Sequence, residues 1–417
     1  MPPLKRKFNS AIWRLKQACT QGYQGGLRLF VETLTEKYWL LDYLPTFAQR
    51  KEGVLLLRLD MIGDFVLWLD AARAYRQLYP NQKITLAVNS TCAELAKTLP
   101  HWDEVISIHV QRLRTDLMYR LRTLIKLRVR HFAVAIQPTF SREFVGDLTL
   151  RSTCAAERIG YAGDASNILS TQKTNTDRWY SKLIANHPDC KMELSTNAHF
   201  VRTLGALDFL SQTPVIARTL LLSAKHQFNR RYIVIAPSAS WQPRAWPIAH
   251  FAALIQQLSS QFDVDFVLCG GKEDQALCEE LLQKVNSSNL IDLAGQTNLL
   301  ELVEIIRGAV LVVSNESSPV HIAAATATPS VCLLGGGHFG RFMPYIIEEP
   351  VLTLPTTPVA VWHEMDCFGC SWKCKFELEA NQAMPCMAMV SVDLVAKRCQ
   401  ALLMQSFSTT TLCGQAQ

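Results

Sequence analysis

The segment Val310–Gly337, VLVVSNESSPVHIAAATATPSVCLLGGG, constrains the fold most, because it sets a strand, a helix start and a second strand in immediate succession. Val310–Ser314 is an apolar, β-branched run. Ser317 and Ser318 are capping residues, Pro319 suits the first helical position, and His321–Ala327 is small and helix-forming before Ser330–Leu334 resumes a strand. The pattern predicts a βαβ unit. A helix opened this way presents unpaired N–H groups and its positive dipole end to whatever lies above the sheet, which suits a diphosphate. Taken alone, the same residues also suit a βαβ unit whose caps only hold the helix.

Two further segments bear on that choice. In Val54–Pro80 an apolar strand, Val54–Leu57, runs through Arg58-Leu59-Asp60-Met61-Ile62-Gly63-Asp64 into a long amphipathic helix. Gly63 permits a tight strand-to-helix turn, and Asp64 sits at the helix start. That carboxylate is either an N-cap or a group at the carboxyl edge of a parallel strand, where open α/β sheets place their ligands. In Tyr232–Leu258 a strand and small-residue loop, YIVIAPSAS, lead through WQPRAWP to a helix opening near Ile248. Arg244 in that loop is either a solvated cation or a fork for a phosphate.

With 417 residues, 49% of them hydrophobic, the chain can bury a sizeable core and should split into two domains. Short apolar runs at Val54–Leu57, Ile84–Val88 and Ala133–Gln137, separated by helical patterns, predict one parallel Rossmann-like sheet. Tyr232–Ala236, Val264–Cys269, Leu290–Leu293, Val310–Ser314 and Ser330–Leu334 predict a second. The fold class expected is therefore α/β, two doubly wound domains. The domains expected are an N-terminal extension over 1–50, a first Rossmann-like domain over 51–215 and a second over 216–417, with a linker near Ser211–Asn229.

The extension mixes Lys5, Arg6, Lys7, Arg14 and Lys16 with Ile12, Trp13, Leu15, Phe30, Trp39 and Leu40, which suits either an interfacial helix on anionic lipid or a helix packed on the first domain. No apolar run is long enough to cross a bilayer and no signal-peptide core follows Met1–Lys7, so a cytoplasmic location is expected, with peripheral contact at the inner membrane as its possible extension. The net charge is +6, and part of the excess lies in Arg112, Arg114, Arg120, Arg122, Lys126, Arg128 and Arg130, where one helix would present a basic face to an acidic partner. The run lacks the aromatic interleaving of a nucleic-acid surface.

Thirteen cysteines with no export signal argue against a disulfide framework. Cys92, Cys154, Cys269, Cys278, Cys332 and Cys399 lie in apolar or helical surroundings that suit buried thiols. Cys367, Cys370, Cys374 and Cys386 instead form C-x2-C-x3-C-x11-C, spacing that suits a structural zinc or an iron–sulfur cluster. Two other motifs are set aside. Gly335-Gly336-Gly337-His338-Phe339-Gly340 matches G-x-G-x-x-G in form, but Pro344 and Pro350 limit any helix after it. Asp263-Val264-Asp265 runs straight into a strand, so its two carboxylates would face opposite ways and it reads as a strand entrance.

Arg58-Leu59…Gly63-Asp64, Pro237…Ser240…Arg244-Ala245-Trp246-Pro247 and Asn315-Glu316-Ser317-Ser318…His321…Ala323-Ala324 occur here in the order of the motifs of glycosyltransferase family 9, the lipopolysaccharide heptosyltransferases, which the chain resembles over roughly residues 50 to 400. RIGYAGD (Arg158–Asp164), VLCGGKED (Val267–Asp274) and DLAGQTNLLELVEIIRGA (Asp292–Ala309) are similar to further family stretches. Glu316 stands where the family has Asp, and Ser318 where it has Gly.

The resemblance implies a GT-B arrangement, two Rossmann-like domains facing across a cleft, and inverting transfer of a sugar, heptose from ADP-heptose, to an acidic lipopolysaccharide core without a catalytic metal. It implies Asp64 as the base for the acceptor hydroxyl, Arg244 and the helix start at Ser317 and Ser318 on the departing diphosphate, and Glu316 on the donor sugar. Glu273, with Asp274 as its alternative, would meet the ribose. His321 is either a donor contact or a packed residue, and Arg112, Arg114 and Arg120 would meet the acceptor. A nucleotide-sugar epimerase and a non-catalytic binder of sugar nucleotide or lipopolysaccharide stay open as alternatives.

Overall fold

The computed structural model describes residues 52–218, 227–285, 287–348, 357–379 and 381–413. The extension over 1–50 and part of the expected linker lie outside them. The strands are β1 (Val54–Arg58), β2 (Ile84–Asn89), β3 (Glu104–Ile108), β4 (Val134–Gln137), β5 (Glu157–Tyr161), β6 (Lys182–Ile184), β7 (Tyr232–Ala236), β8 (Asp265–Leu268), β9 (Leu290–Asp292), β10 (Leu311–Asn315), β11 (Ser330–Leu333) and β12 (Val359–Val361). They form two six-stranded sheets, ordered β3-β2-β1-β4-β5-β6 and β12-β11-β10-β7-β8-β9. The pairings of β1 with β4, β4 with β5 and every neighbour pair in the second sheet are parallel.

Both orders are the doubly wound one, in which the first and fourth strands lie side by side and the chain reverses its direction of winding between them. Ligands of such sheets bind beyond the carboxyl ends of those two strands. In the second sheet these are β7 and β10, and the residues that leave them are 237–247 and 316 onward.

By packing, the chain groups into two compact units, one joining the described residues up to Leu59 with Ser107–Leu183, the other joining Asp60–Ile106 with the chain from Ile184 onward. The first unit encloses a polar knot. Arg142 is fully buried, pairs with Asp147 at 3.0 Å and with Asp177, and the Tyr180 hydroxyl donates to Asp147 at 2.6 Å. Burial raises the Asp147 carboxyl, and Arg142 opposes that rise. A knot this dry persists only because each charge meets an opposite one.

In the second unit the helix Ile62–Leu78 buries Phe65, Val66, Leu69, Ala72 and Tyr75. Its N-cap is Met61, so Asp64 lies inside the first turn and is not the cap. Gly63 serves packing more than turning: a Cβ there would stand 3.2 Å from Cδ2 of His321, on the helix Ser318–Ala325. The core on one face of the second sheet joins Ile233, Ile235, Trp246, Phe251, Phe266, Val313 and Leu333 with Cys399 and Leu403 of the C-terminal helix.

The basic run is two helices, Val110–Thr115 and Leu117–Arg128, because Asp116 breaks off the first and caps the second, accepting from Tyr119 N–H at 2.9 Å. Asp263-Val264-Asp265 leads into β8 as expected, but its carboxylates do not face opposite ways: Asp263 lies before the strand, and Arg230 pairs with both. No helix among the described residues is long and apolar enough to cross a membrane.

Candidate functional site

The loop after β7 is shaped by Asn315, a motif residue to which the sequence alone gives no role. Asn315, fully buried at the end of β10, donates to the carbonyls of Pro237 at 2.7 Å and Ser238 at 3.2 Å, and accepts from Trp246 N–H at 2.9 Å. One amide thus fastens both ends of the loop that carries Arg244. Its signal in the sequence is a lone amide closing an apolar strand. Arg244 ends a short 3-10 turn, Gln242–Arg244, and its Nη1 donates to Ser240 Oγ at 3.2 Å. Its Nε is buried and has no hydrogen-bond partner.

Glu316 follows Asn315 directly. Both of its carboxylate oxygens are sealed from solvent without a hydrogen-bond partner, an arrangement rare in folded proteins. Burial pushes its pKa up to about 8; Arg244 and Arg341 pull it down, and Asp64 adds to the rise. Burial also lowers the pKa of Arg244, with Glu316 opposing that shift. Arg244, Glu316, Arg341 and Asp64 therefore share one electrostatic neighbourhood. Arg341, which the sequence analysis did not single out, pairs with Glu193 at 3.8 Å.

The raised pKa makes stability depend on pH. The folded state holds the Glu316 proton more tightly than the unfolded chain, so stability from this group is full below the ordinary carboxylate range and lost as pH rises toward about 8. Glu316→Gln, which keeps the shape and cannot ionise, should therefore melt at least about 2 °C above wild type at pH 8.5 and level with it at pH 4. Equal melting temperatures at both pH values would show that the carboxyl ionises without cost.

Ser317 occupies the N-cap of Ser318–Ala325, but no side-chain cap bond forms; its hydroxyl lies 3.1 Å from Ser314 Oγ. The expected capping by Ser317 is thereby corrected: the hydroxyl turns back to the strand, and Pro319 sits second in the helix. His321 is buried, held neutral by burial that lowers its pKa to about 4, and its Nδ1 lies 2.8 Å from the Tyr345 hydroxyl with the two rings stacked. His321 is thus packed against Tyr345, as the second of its two expected roles has it.

After β8, the Asp274 carboxylate accepts from Gly271 N–H at 2.7 Å and so closes the turn, while Glu273 remains exposed over Gly271. Of these two residues, Asp274 is engaged in the turn and Glu273 is not. In the other unit, Arg112 pairs with Asp116 at 2.9 Å and lies over the Tyr119 ring, and Arg114 pairs with Glu143; both are exposed. Arg120 does not join them, being buried and donating to the carbonyls of Leu113 and Arg114 across the helix break.

Cys367, Cys370, Cys374 and Cys386 line one small pocket with Gly336, Met365, Phe376, Met384 and Pro385. All four are free thiols. Among the described residues no three His, Cys, Asp or Glu side chains are grouped so as to hold a metal ion. Gly335–Gly337 faces Trp372, Phe368 and Met387 rather than a dinucleotide.

Residues 203–367 match the family model described as glycosyltransferase family 9 (heptosyltransferase). The lipopolysaccharide heptosyltransferase 2 of Salmonella typhimurium is 34% identical over 292 residues, covering 68% of this chain and 82% of that protein. The lipooligosaccharide heptosyltransferase 2 of Haemophilus ducreyi is 25% identical over 311 residues, 72% of this chain and 87% of the relative. The structure of E. coli ADP-heptose lps heptosyltransferase II superposes with a TM-score of 0.62 at 20% identity, covering 85% of this chain and 99% of that one. With the fold, the motif residues and these relatives in agreement, the chain belongs to glycosyltransferase family 9, the heptosyltransferase family.

Proposed function

We propose that this glycosyltransferase moves heptose from ADP-heptose to a lipopolysaccharide core acceptor, with inversion and without a catalytic metal. The observation that supports it most is a guanidinium, Arg244, in the electrostatic neighbourhood of a sealed carboxyl without a hydrogen-bond partner, Glu316, beyond the two strands flanking the switch point. In this reading the Asp64 carboxylate takes the proton of the acceptor hydroxyl as that oxygen forms its bond to the anomeric carbon. The carbon–oxygen bond to the diphosphate breaks, and its electron pair leaves with ADP. Arg244 and the N–H groups that open Ser318–Ala325 receive the charge. Glu316 engages the donor hydroxyls, Glu273 the ribose, and Arg112 and Arg114 phosphates of the acceptor. Attack from the face opposite the leaving group inverts the anomeric centre.

Calorimetric titration of the protein with ADP, UDP, GDP and ADP-heptose in chelator-treated buffer tests the donor. Tightest binding of ADP and ADP-heptose is expected, and preference for another base would replace the donor while keeping the mechanism. A structural zinc or iron–sulfur centre at the four cysteines is a separate proposal, supported by their spacing and shared pocket. Metal analysis of the same sample tests it: stoichiometric zinc or iron supports the site, and a metal-free, fully folded protein removes it.

A further inference from the structure

The cysteine-rich segment reaches the donor site through one aromatic ring. Gly335–Gly337 is its floor: a Cβ on Gly335 or Gly337 would stand 2.6 or 2.2 Å from Trp372 ring atoms, and one on Gly336 2.2 Å from Phe368. The segment is tied to that floor by Gly369 N–H donating to Gly336 O at 2.8 Å and Ser371 N–H donating to Gly337 O at 2.9 Å. Its backbone passes through the left-handed region at Gly369, Ser371 and Trp372, with φ of 84°, 51° and 62°. Ser and Trp hold that conformation only where the surroundings fix it. The outcome of this turn is the place of the indole. The Trp372 ring centre lies 4.3 Å from the Arg244 guanidinium carbon, and its N–H donates to His338 Nδ1 at 3.2 Å.

We infer that Trp372 is a positioning residue for Arg244, and that the cysteine-rich segment is through it a working part of the donor site. The inference rests on the reading of Arg244 as the diphosphate ligand. Arg244 has four rotatable side-chain bonds, and among the described residues its tip meets the Ser240 hydroxyl and the indole face. A ring fixed by His338 and the glycine floor holds the guanidinium over its face before any phosphate arrives, which lowers the ordering cost of binding.

The test uses the full-length chain with Trp372→Ala, Trp372→Phe, Arg244→Ala and the Trp372→Ala/Arg244→Ala double variant, titrated with ADP and with AMP. Trp372→Ala should weaken ADP about 3- to 30-fold while leaving AMP unchanged, and Trp372→Phe should recover most of the loss. In the Arg244→Ala background, Trp372→Ala should add nothing. Equal losses for ADP and AMP, or an undiminished loss without Arg244, would reduce Trp372 to a packing residue. Arg244→Ala weakening ADP with Trp372→Ala leaving it intact overturns the inference alone. Unchanged ADP affinity in Arg244→Ala overturns the diphosphate reading, and the inference with it.

Discussion

Replacing Asp64 with Asn should lower kcat by about a hundredfold or more and leave the ADP dissociation constant within about twofold, the scale on which a lost general base acts. Asn keeps the size of the side chain, and because Met61 rather than residue 64 caps the helix Ile62–Leu78, the substitution spares the helix start. It removes the one property a base needs, a lone pair that takes a proton at neutral pH. The same change takes away the field by which Asp64 raises the Glu316 pKa, so Glu316 should ionise more readily in the variant. Steady-state kinetics beside calorimetry separates the two effects. A kcat near that of wild type would take Asp64 out of the chemistry.

Arg244→Ala carries the second large effect, a loss of ADP affinity on the order of 10- to 100-fold, since charge-assisted hydrogen bonds to a diphosphate go with it. Ala also strips Glu316 of the foremost cation opposing its raised pKa. Lys should recover only part of the loss, because an ammonium keeps the charge but neither the planar fork nor the stacking on Trp372. Calorimetry with ADP reads both variants, and full affinity in Arg244→Ala would remove it from the site.

Much of this was legible in the sequence because parallel strands buried on both faces read as continuous apolar runs. Tyr232–Ala236 appears over exactly the residues expected, and Val54, Ile84, Leu290 and Ser330 open strands where the pattern places them. The strands that went unread, β3, β5, β6 and β12, are short or mixed: β5 opens on Glu157 and Arg158, and β6 and β12 are three-residue edges. Composition carries little trace of a strand whose outer side faces water. Around the site, Arg244 and Glu316 were visible because each follows a strand end in a recognisable motif. Arg341, Tyr345 and Trp372 were not, because each reaches the site from a turn whose path depends on tertiary contacts. Arg120 was misread for a related reason. A count of basic residues cannot tell a guanidinium facing solvent from one folded back on Leu113 and Arg114 carbonyls.

The most direct measurement is mass analysis of a lipopolysaccharide inner-core acceptor after incubation with ADP-heptose and the enzyme in EDTA. An acceptor heavier by one heptose residue and ADP released in equal amount are expected. Release of ADP with the acceptor unchanged, or transfer that appears only when manganese or magnesium is restored, would contradict the proposed reaction.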